Sequence, residues 1–292
     1  MSLRPRRSCL YMPGSNARAL EKARALPADT LILDLEDAVA PDAKAMARNQ
    51  VAAAAKAGGF GKREIVIRIN GLKTPWGGDD LVAAAEASPD AILVPKVSTP
   101  GDIMMAAKAL REAGASEKTR LWAMMETPLA MLNADSIART AADPASRLSV
   151  FVMGTNDLAK ETRARLTPGR PSMLAWLSTC VAAARAHGVE IIDGVYNDFN
   201  NNEGLRAECE QGRDFGMDGK TLIHPNQIAT CNEVFAPSAE EVDWARKIIA
   251  VFAEPANSGK GALQIEGKMV ELLHAEMAKR TVAISEAIVA LA

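Results

Sequence analysis

Glu126 ends the run RLWAMME (120–126), whose residues after Arg120 suit a buried strand. Asp157 lies in GTNDL (154–158), where a second apolar run, LSVFVMG (148–154), gives way to a helix. Neighbouring strands run about 5 Å apart, so two such carboxylates converge if the runs are adjacent. Crowded carboxylates repel unless one is protonated or a cation lies between them. The chain has only three histidines, and its four cysteines form no CxxC. Oxygen ligands therefore dominate, and the fitting metal is Mg²⁺, which keeps several waters and takes one or two carboxylates plus substrate oxygens. Arg68, near the end of EIVIRIN (64–70), is suited to grip a substrate carboxylate through two parallel hydrogen bonds. The competing reading is a salt bridge to Asp34, Glu36 or Asp37 of TLILDLED (30–37). The turn GTNDL offers backbone N–H groups, that of Leu158 among them, to an anionic oxygen at a helix start. Ser15, Arg18 and Lys22 head the first helix and are candidates to hold phosphates; solvated helix charges are the commoner explanation for such residues.

The elements that must position these groups alternate along the chain. Strand-like runs fall at 8–14, 30–37, 64–70, 91–97, 120–127, 148–154, 189–195 and 219–225. Between them lie Ala-rich stretches with apolar residues at helical spacing, such as ARALEKARAL and DAKAMARNQVAAAAKAG, that stop at Gly or Pro. Strands apolar on both faces, each followed by a helix, make a parallel sheet. Eight such units over roughly 225 residues fit an α/β fold of the (β/α)8 TIM-barrel type. An open doubly wound sheet is the runner-up, without the G-x-G-x-x-G that its first turn would carry. Catalytic residues of a TIM barrel sit at the C-terminal strand ends, and here those ends carry acids, Arg68, Lys96 and His224. Residues 1–236 are read as the barrel and 237–292 as a C-terminal helical extension. In the extension SAEEVDWARKIIAVFAE reads as a helix, Glu266-Gly267 as a hairpin turn, and the stretch from Met269 as a final amphipathic helix.

The chain is long enough for a large core, with 292 residues, 48% of them hydrophobic. A formal net charge of -2 argues against nucleic acid as a partner. No apolar run reaches the roughly 18 residues of a membrane span. The N-terminus is basic without an apolar h-region, and the scattered cysteines fit a reducing cytoplasm.

The motifs RRSCLYMPGSNARALEKA, LILDLEDAVAPDAKAMAR, VIRING, ILVPKV, METPLAML, GTNDLAKE and FGMDGKTLIHPNQIATCNEVFAPS cover most of the chain. In order and spacing the chain resembles the citrate lyase β-subunit-like proteins of the HpcH/HpaI aldolase superfamily, with the malyl-CoA and citramalyl-CoA lyases. The resemblance implies a TIM barrel assembled as a homotrimer or hexamer, with Mg²⁺ on Glu126 and Asp157 and a substrate carboxylate on Arg68. It implies a carbon–carbon lyase that relates an acyl-CoA, or an acyl-carrier thioester, to acetyl-CoA and a 2-oxo acid. In the CoA lyases a C-terminal G-x-M-[IV]-D segment brings an acid to the neighbouring subunit's site. Here GKMVELL has Glu271 at that position, so Glu271 is the expected acid–base residue. Since Glu is one methylene longer, and a misplacement of about 1 Å can cost 10²-fold, the departure puts the usual reaction in question. Three rivals stand beside the lyase: a malyl-CoA-type thioesterase, a non-catalytic thioester-binding subunit, and a phosphoenolpyruvate-mutase-like barrel. The Asn-rich run NDFNNNEGL (197–205) has no role evident from its residues.

Overall fold

The computed structural model describes residues 3–291. They divide into two compact units, Arg6–Asn232 and a smaller one that runs from Glu233 onward and takes in the residues before Arg6. The larger unit contains a closed parallel barrel of eight strands. These are β1 (Ser8–Pro13), β2 (Thr30–Asp34), β3 (Glu64–Arg68), β4 (Ala91–Val94), β5 (Arg120–Met125), β6 (Leu148–Met153), β7 (Glu190–Asp193) and β8 (Gly219–Leu222). Helices connect successive strands, and β1 closes on β8 through the pair Cys9–Thr221.

Period two along each strand separates the two faces. Cys9, Ile32, Val66, Ala91, Leu93, Trp122, Met124, Val150, Val152 and Ile192 form one buried cluster. Two residues further on, the same faces change character: Tyr11 follows Cys9, Asp34 follows Ile32, Arg68 follows Val66, and Glu126 follows Met124. The β2–β3 register pairs Asp34 with Arg68 directly. On these four strands one face thus supplies first the core and then the polar rim.

All eight expected strands form, and each ends one to three residues before its expected limit. Beyond those ends only single ladder bonds persist, such as Gly14 N–H to Asp34 O at 2.8 Å and Leu35 N–H to Arg68 O at 2.9 Å. There each chain turns out of the sheet to feed its helix. Glu36, Asp37, Glu126 and Asp157 therefore sit on loops or a helix start rather than within strands.

The smaller unit opens with helix Ala239–Ala253, capped reciprocally by Ser238 and Glu241. A hairpin follows, β9 (Ala262–Ile265) against β10 (Lys268–Glu271). Its two-residue turn, Glu266–Gly267, has φ of 49° and 80°, the left-handed pair that suits the twist of the flanking strands. The final helix is Leu272–Leu291. The expectation of a helix from Met269 is corrected here: residues 268–271 pair in the hairpin, and Val270 is buried with Ile265, Ala245 and Ile248 in this unit's own core. No helix among the described residues is long and apolar enough to cross a membrane.

Candidate active site

A cavity of about 310 Å³ opens at the C-terminal mouth of the barrel, lined by Tyr11, Asp34, Asp37, Arg68, Met124, Glu126, residues 153–157, Val195, Thr221 and Ile223. Arg68 is 6% exposed. Its Nε and Nη2 donate to the two oxygens of Asp34, each at 2.6 Å. Its Nη1 lies 2.9 Å from Glu36 Oε2 and donates to Asp37 at 3.2 Å. The guanidinium also stacks over the Tyr11 ring, 4.7 Å from its centroid. All three acids of the competing salt-bridge reading are engaged. The two-bond edge of Arg68 is taken by Asp34, so the fork expected for a substrate is not free, and Nη1 is the donor that faces the remaining acids. Burial against these partners lifts the Glu36 carboxyl to a pKa of about 8, with Arg68 opposing the rise and Glu126, Asp37 and Asp34 adding to it.

Glu126 follows β5 directly and is 1% exposed. Its Oε1 accepts the backbone N–H of Lys96 at 2.7 Å. Its Oε2 lies against Gly154: a Cβ at that glycine would fall 2.5 Å from Oε2 and 2.4 Å from the Glu126 Cβ. Only a residue without a side chain lets the carboxylate reach across to the end of β6. Asp157 is on the first turn of helix Thr155–Thr162, and its Oδ1 accepts from Lys96 Nζ at 2.7 Å. Burial raises Glu126 to about 7, opposed by Lys96 and reinforced by Asp157. Burial works against the Lys96 charge, but the hydrogen bond to Asp157 and the field of Glu126 hold its pKa above the usual lysine range. Lys96 reaches both acids from a backbone φ of 52°, a conformation that costs a non-glycine residue energy and recurs at functional sites.

The pair fits a Mg²⁺ ion. Both donors are hard carboxylate oxygens, burial and the Asp157 charge raise the pKa of Glu126, and the Gly154 cradle lets its carboxylate reach toward the end of β6. Among the described residues no cluster of three metal-binding side chains occurs, so water and substrate oxygens would complete the shell, as Mg²⁺ commonly requires.

The remaining expected residues are distributed unevenly. Leu158 is fully buried, and its N–H donates to Gly154 O at 3.1 Å. The amides of this turn left without an intrahelical acceptor are those of Thr155, Asn156 and Asp157. Asn16, not Ser15, caps helix Ala17–Ala23, accepting from Ala19 N–H at 3.0 Å. Arg18 and Lys22 are exposed on that helix, four residues apart. Glu271 belongs to the smaller unit, at the end of β10, where its N–H donates to His274 Nδ1 at 2.9 Å. The Asn-rich run acquires a structural account. Asn197 and Asn156 exchange amide hydrogen bonds of 2.8 and 3.1 Å, Asn201 caps helix Asn202–Asp214, and Phe199 stacks on His224 at 4.8 Å. Sequence reasoning left Lys96 and Tyr11 out of the site. The only signal for either was position, Lys96 at the fourth strand end and Tyr11 within the first strand.

A barrel that gathers Glu126, Asp157 and an arginine–carboxylate cluster at the C-terminal ends of its strands places them where TIM-barrel active sites lie. Residues 7–225 match the family model HpcH/HpaI aldolase/citrate lyase, and the chain belongs to that family. The chain is 52% identical over 286 residues to a (3S)-malyl-CoA thioesterase of Cereibacter sphaeroides, covering 98% of this chain and 96% of that one. It is 35% identical over 310 residues to an L-malyl-CoA/beta-methylmalyl-CoA lyase of the same species, covering 98% and 96%. Among solved structures it resembles protein CitE from Mycobacterium tuberculosis in complex with magnesium, acetoacetate and coenzyme A, with a TM-score of 0.75 and 30% identity over 96% of this chain and 98% of that one. These relations correct the expected carbon–carbon lyase activity. The full-length likeness to the thioesterase, at 52% identity, exceeds that to the lyase, at 35%, and so favours the rival reading, hydrolysis, over the lyase.

Proposed function

We propose that the protein is a thioesterase that hydrolyses a short dicarboxylic 3-hydroxyacyl-CoA of the malyl-CoA type to the free hydroxy acid and CoA. The observation that carries this reading is the 52% identity, across 98% of the chain, to a (3S)-malyl-CoA thioesterase. The chemistry of the barrel mouth supports it. Glu126 and Asp157 would hold Mg²⁺, which supplies Lewis acidity to the substrate oxygens when bound. The amides of Thr155, Asn156 and Asp157 bind the acyl carboxylate at the helix start, while Arg68, its plane fixed by Asp34 and its Nη1 shared with Glu36 and Asp37, supplies positive charge beside it. Ser15, Arg18 and Lys22 are the proposed contacts of the CoA phosphates. Glu271, supplied by a neighbouring chain of a trimer or hexamer, takes the proton of the attacking water.

Product analysis tests the reading. With (3S)-malyl-CoA and Mg²⁺ the enzyme is expected to release free thiol and malate, with thiol release lost in a chelator and in Glu126→Gln. Formation of acetyl-CoA and glyoxylate without free thiol would refute hydrolysis.

A further inference from the structure

The phenol of Tyr11 is unused by the groups described so far. Tyr11 lies on the inner face of β1, packed on the barrel core, and lines the cavity. Among the described residues, the acceptor that its hydroxyl reaches is Met124 Sδ, at 3.9 Å. A thioether is a weak acceptor, and Tyr11 is only partly buried, so its hydroxyl is left to face the cavity it lines. The hydroxyl is therefore a strong donor without a matching acceptor, in a cavity built for an oxygen-rich substrate. Its ring cannot swing away freely, because the Arg68 guanidinium covers one face at 4.7 Å. That cation is in turn clamped by Asp34 through two bonds of 2.6 Å. A cation over the ring also draws electron density from the phenol and makes its O–H a better donor. Burial holds the phenol well above the ordinary tyrosine range, with Arg68 opposing and Asp34 and Glu126 assisting, so it stays protonated at neutral pH.

Position completes the case. In the closed order of eight strands, β1 stands across the barrel from β5, whose end carries Glu126. With its carboxylate against the amides after β6, a dicarboxylic acyl chain that runs across the cavity toward β1 would bring its thioester carbonyl to Tyr11. We propose that Tyr11 is a catalytic residue of the hydrolysis, donating its O–H to the thioester carbonyl oxygen and binding it more strongly as that oxygen becomes an oxyanion. The proposal rests on the thioesterase reading above. Water forms its bond to the carbonyl carbon, and the C=O π pair moves onto the oxygen facing Tyr11. Return of that pair expels the CoA thiolate, and the proton lost by the water ends on its sulfur. Tyr11 keeps its proton throughout, as an oxyanion donor should.

Tyr11→Phe removes the hydroxyl and keeps the ring under Arg68. Wild type and variant are compared for kcat and KM with (3S)-malyl-CoA, following free thiol, and for thermal unfolding. The expected result is a kcat lower by about 10²–10³-fold, the usual cost of one oxyanion donor, with KM within about threefold and an unchanged melting temperature. A variant kcat within twofold of wild type overturns the role. So does a raised KM at unchanged kcat, which would make Tyr11 a ground-state binder, or a kcat loss that is accompanied by an equivalent loss of folded protein. Wild-type enzyme that releases no thiol overturns the thioesterase reading itself and the Tyr11 role with it, so failure of the premise is told apart from failure of the inference.

Discussion

Glu36 is an acid at the barrel mouth whose ionisation the fold resists. It lies beside Arg68, yet Asp34 already holds that guanidinium by two bonds, and Asp37 and Glu126 add like charge. Its pKa of about 8 stands above the ordinary carboxylate value. The consequence for stability has a definite sign. Between pH 4.5 and 8 the folded chain retains a proton that the unfolded chain releases, so stability falls as pH rises through this window. Glu36→Gln removes the dependence. In metal-free buffer the melting temperature of the variant should match wild type near pH 5 and exceed it near pH 8.5, by a few degrees for each kcal/mol relieved in a chain of this size. Equal melting temperatures at both pH values would mean that Glu36 ionises normally. Its neighbour Arg68 illustrates a limit of sequence reading. Both the substrate fork and the salt bridge were legible in the residue types, but the choice between them depends on the β2–β3 register, which sets Asp34 opposite Arg68.

At the scale of elements, β7 and β8 are joined by charge as well as by backbone. Lys220, fully buried, donates to Asp193 at 2.8 Å and to Glu208 at 2.6 Å, and Arg170 Nη1 holds Asp193 at 2.7 Å. Burial works against the Asp193 charge, but Lys220 and Arg170 outweigh it and hold its pKa below the ordinary value. Removing one partner of such a group leaves buried charge uncompensated, which costs about 3–5 kcal/mol. Lys220→Met, which preserves much of the side-chain volume, should therefore lower the urea midpoint by the equivalent of about 3 kcal/mol or more; a change under about 1 kcal/mol would show that Arg170 alone satisfies Asp193. The eight strands were readable because each is an apolar run bounded by Gly, Pro or charge, and parallel burial on both faces leaves little else for such runs to be. Residues 268–271 were not, because Met269 and Val270 continue the helical spacing of the following stretch, and only the left-handed turn at Glu266–Gly267 returns them against β9. Position marks Lys96, at the fourth strand end, but not its role: its ammonium reaches Asp157 from an adjacent loop through a positive φ that no residue pattern announces.

For the whole molecule, the carboxylates of the proposed reaction are divided between two units. Glu271 ends β10 in that unit, partly buried, whereas Glu126 and Asp157 lie in the unit Arg6–Asn232. The family resemblance implies that the acid at this position acts on a neighbouring subunit, and the proposed mechanism adopts that arrangement, so activity should depend on assembly. Glu271→Ala chains and Asp157→Asn chains, each inactive alone, are expected to regain part of the thioesterase activity when refolded or co-expressed together. In a mixed oligomer some interfaces pair an intact metal site with an intact Glu271. The recovered rate should rise with the fraction of mixed oligomers, measured by differential tagging, and should stay below that of wild type because the other pairings remain defective. No recovery in demonstrably mixed oligomers would place the function of Glu271 within its own chain. Full activity of Glu271→Ala by itself would remove the residue from the reaction, and the carboxyl that accepts the proton of the water would then have to come from the barrel, where Glu36 already holds a pKa of about 8.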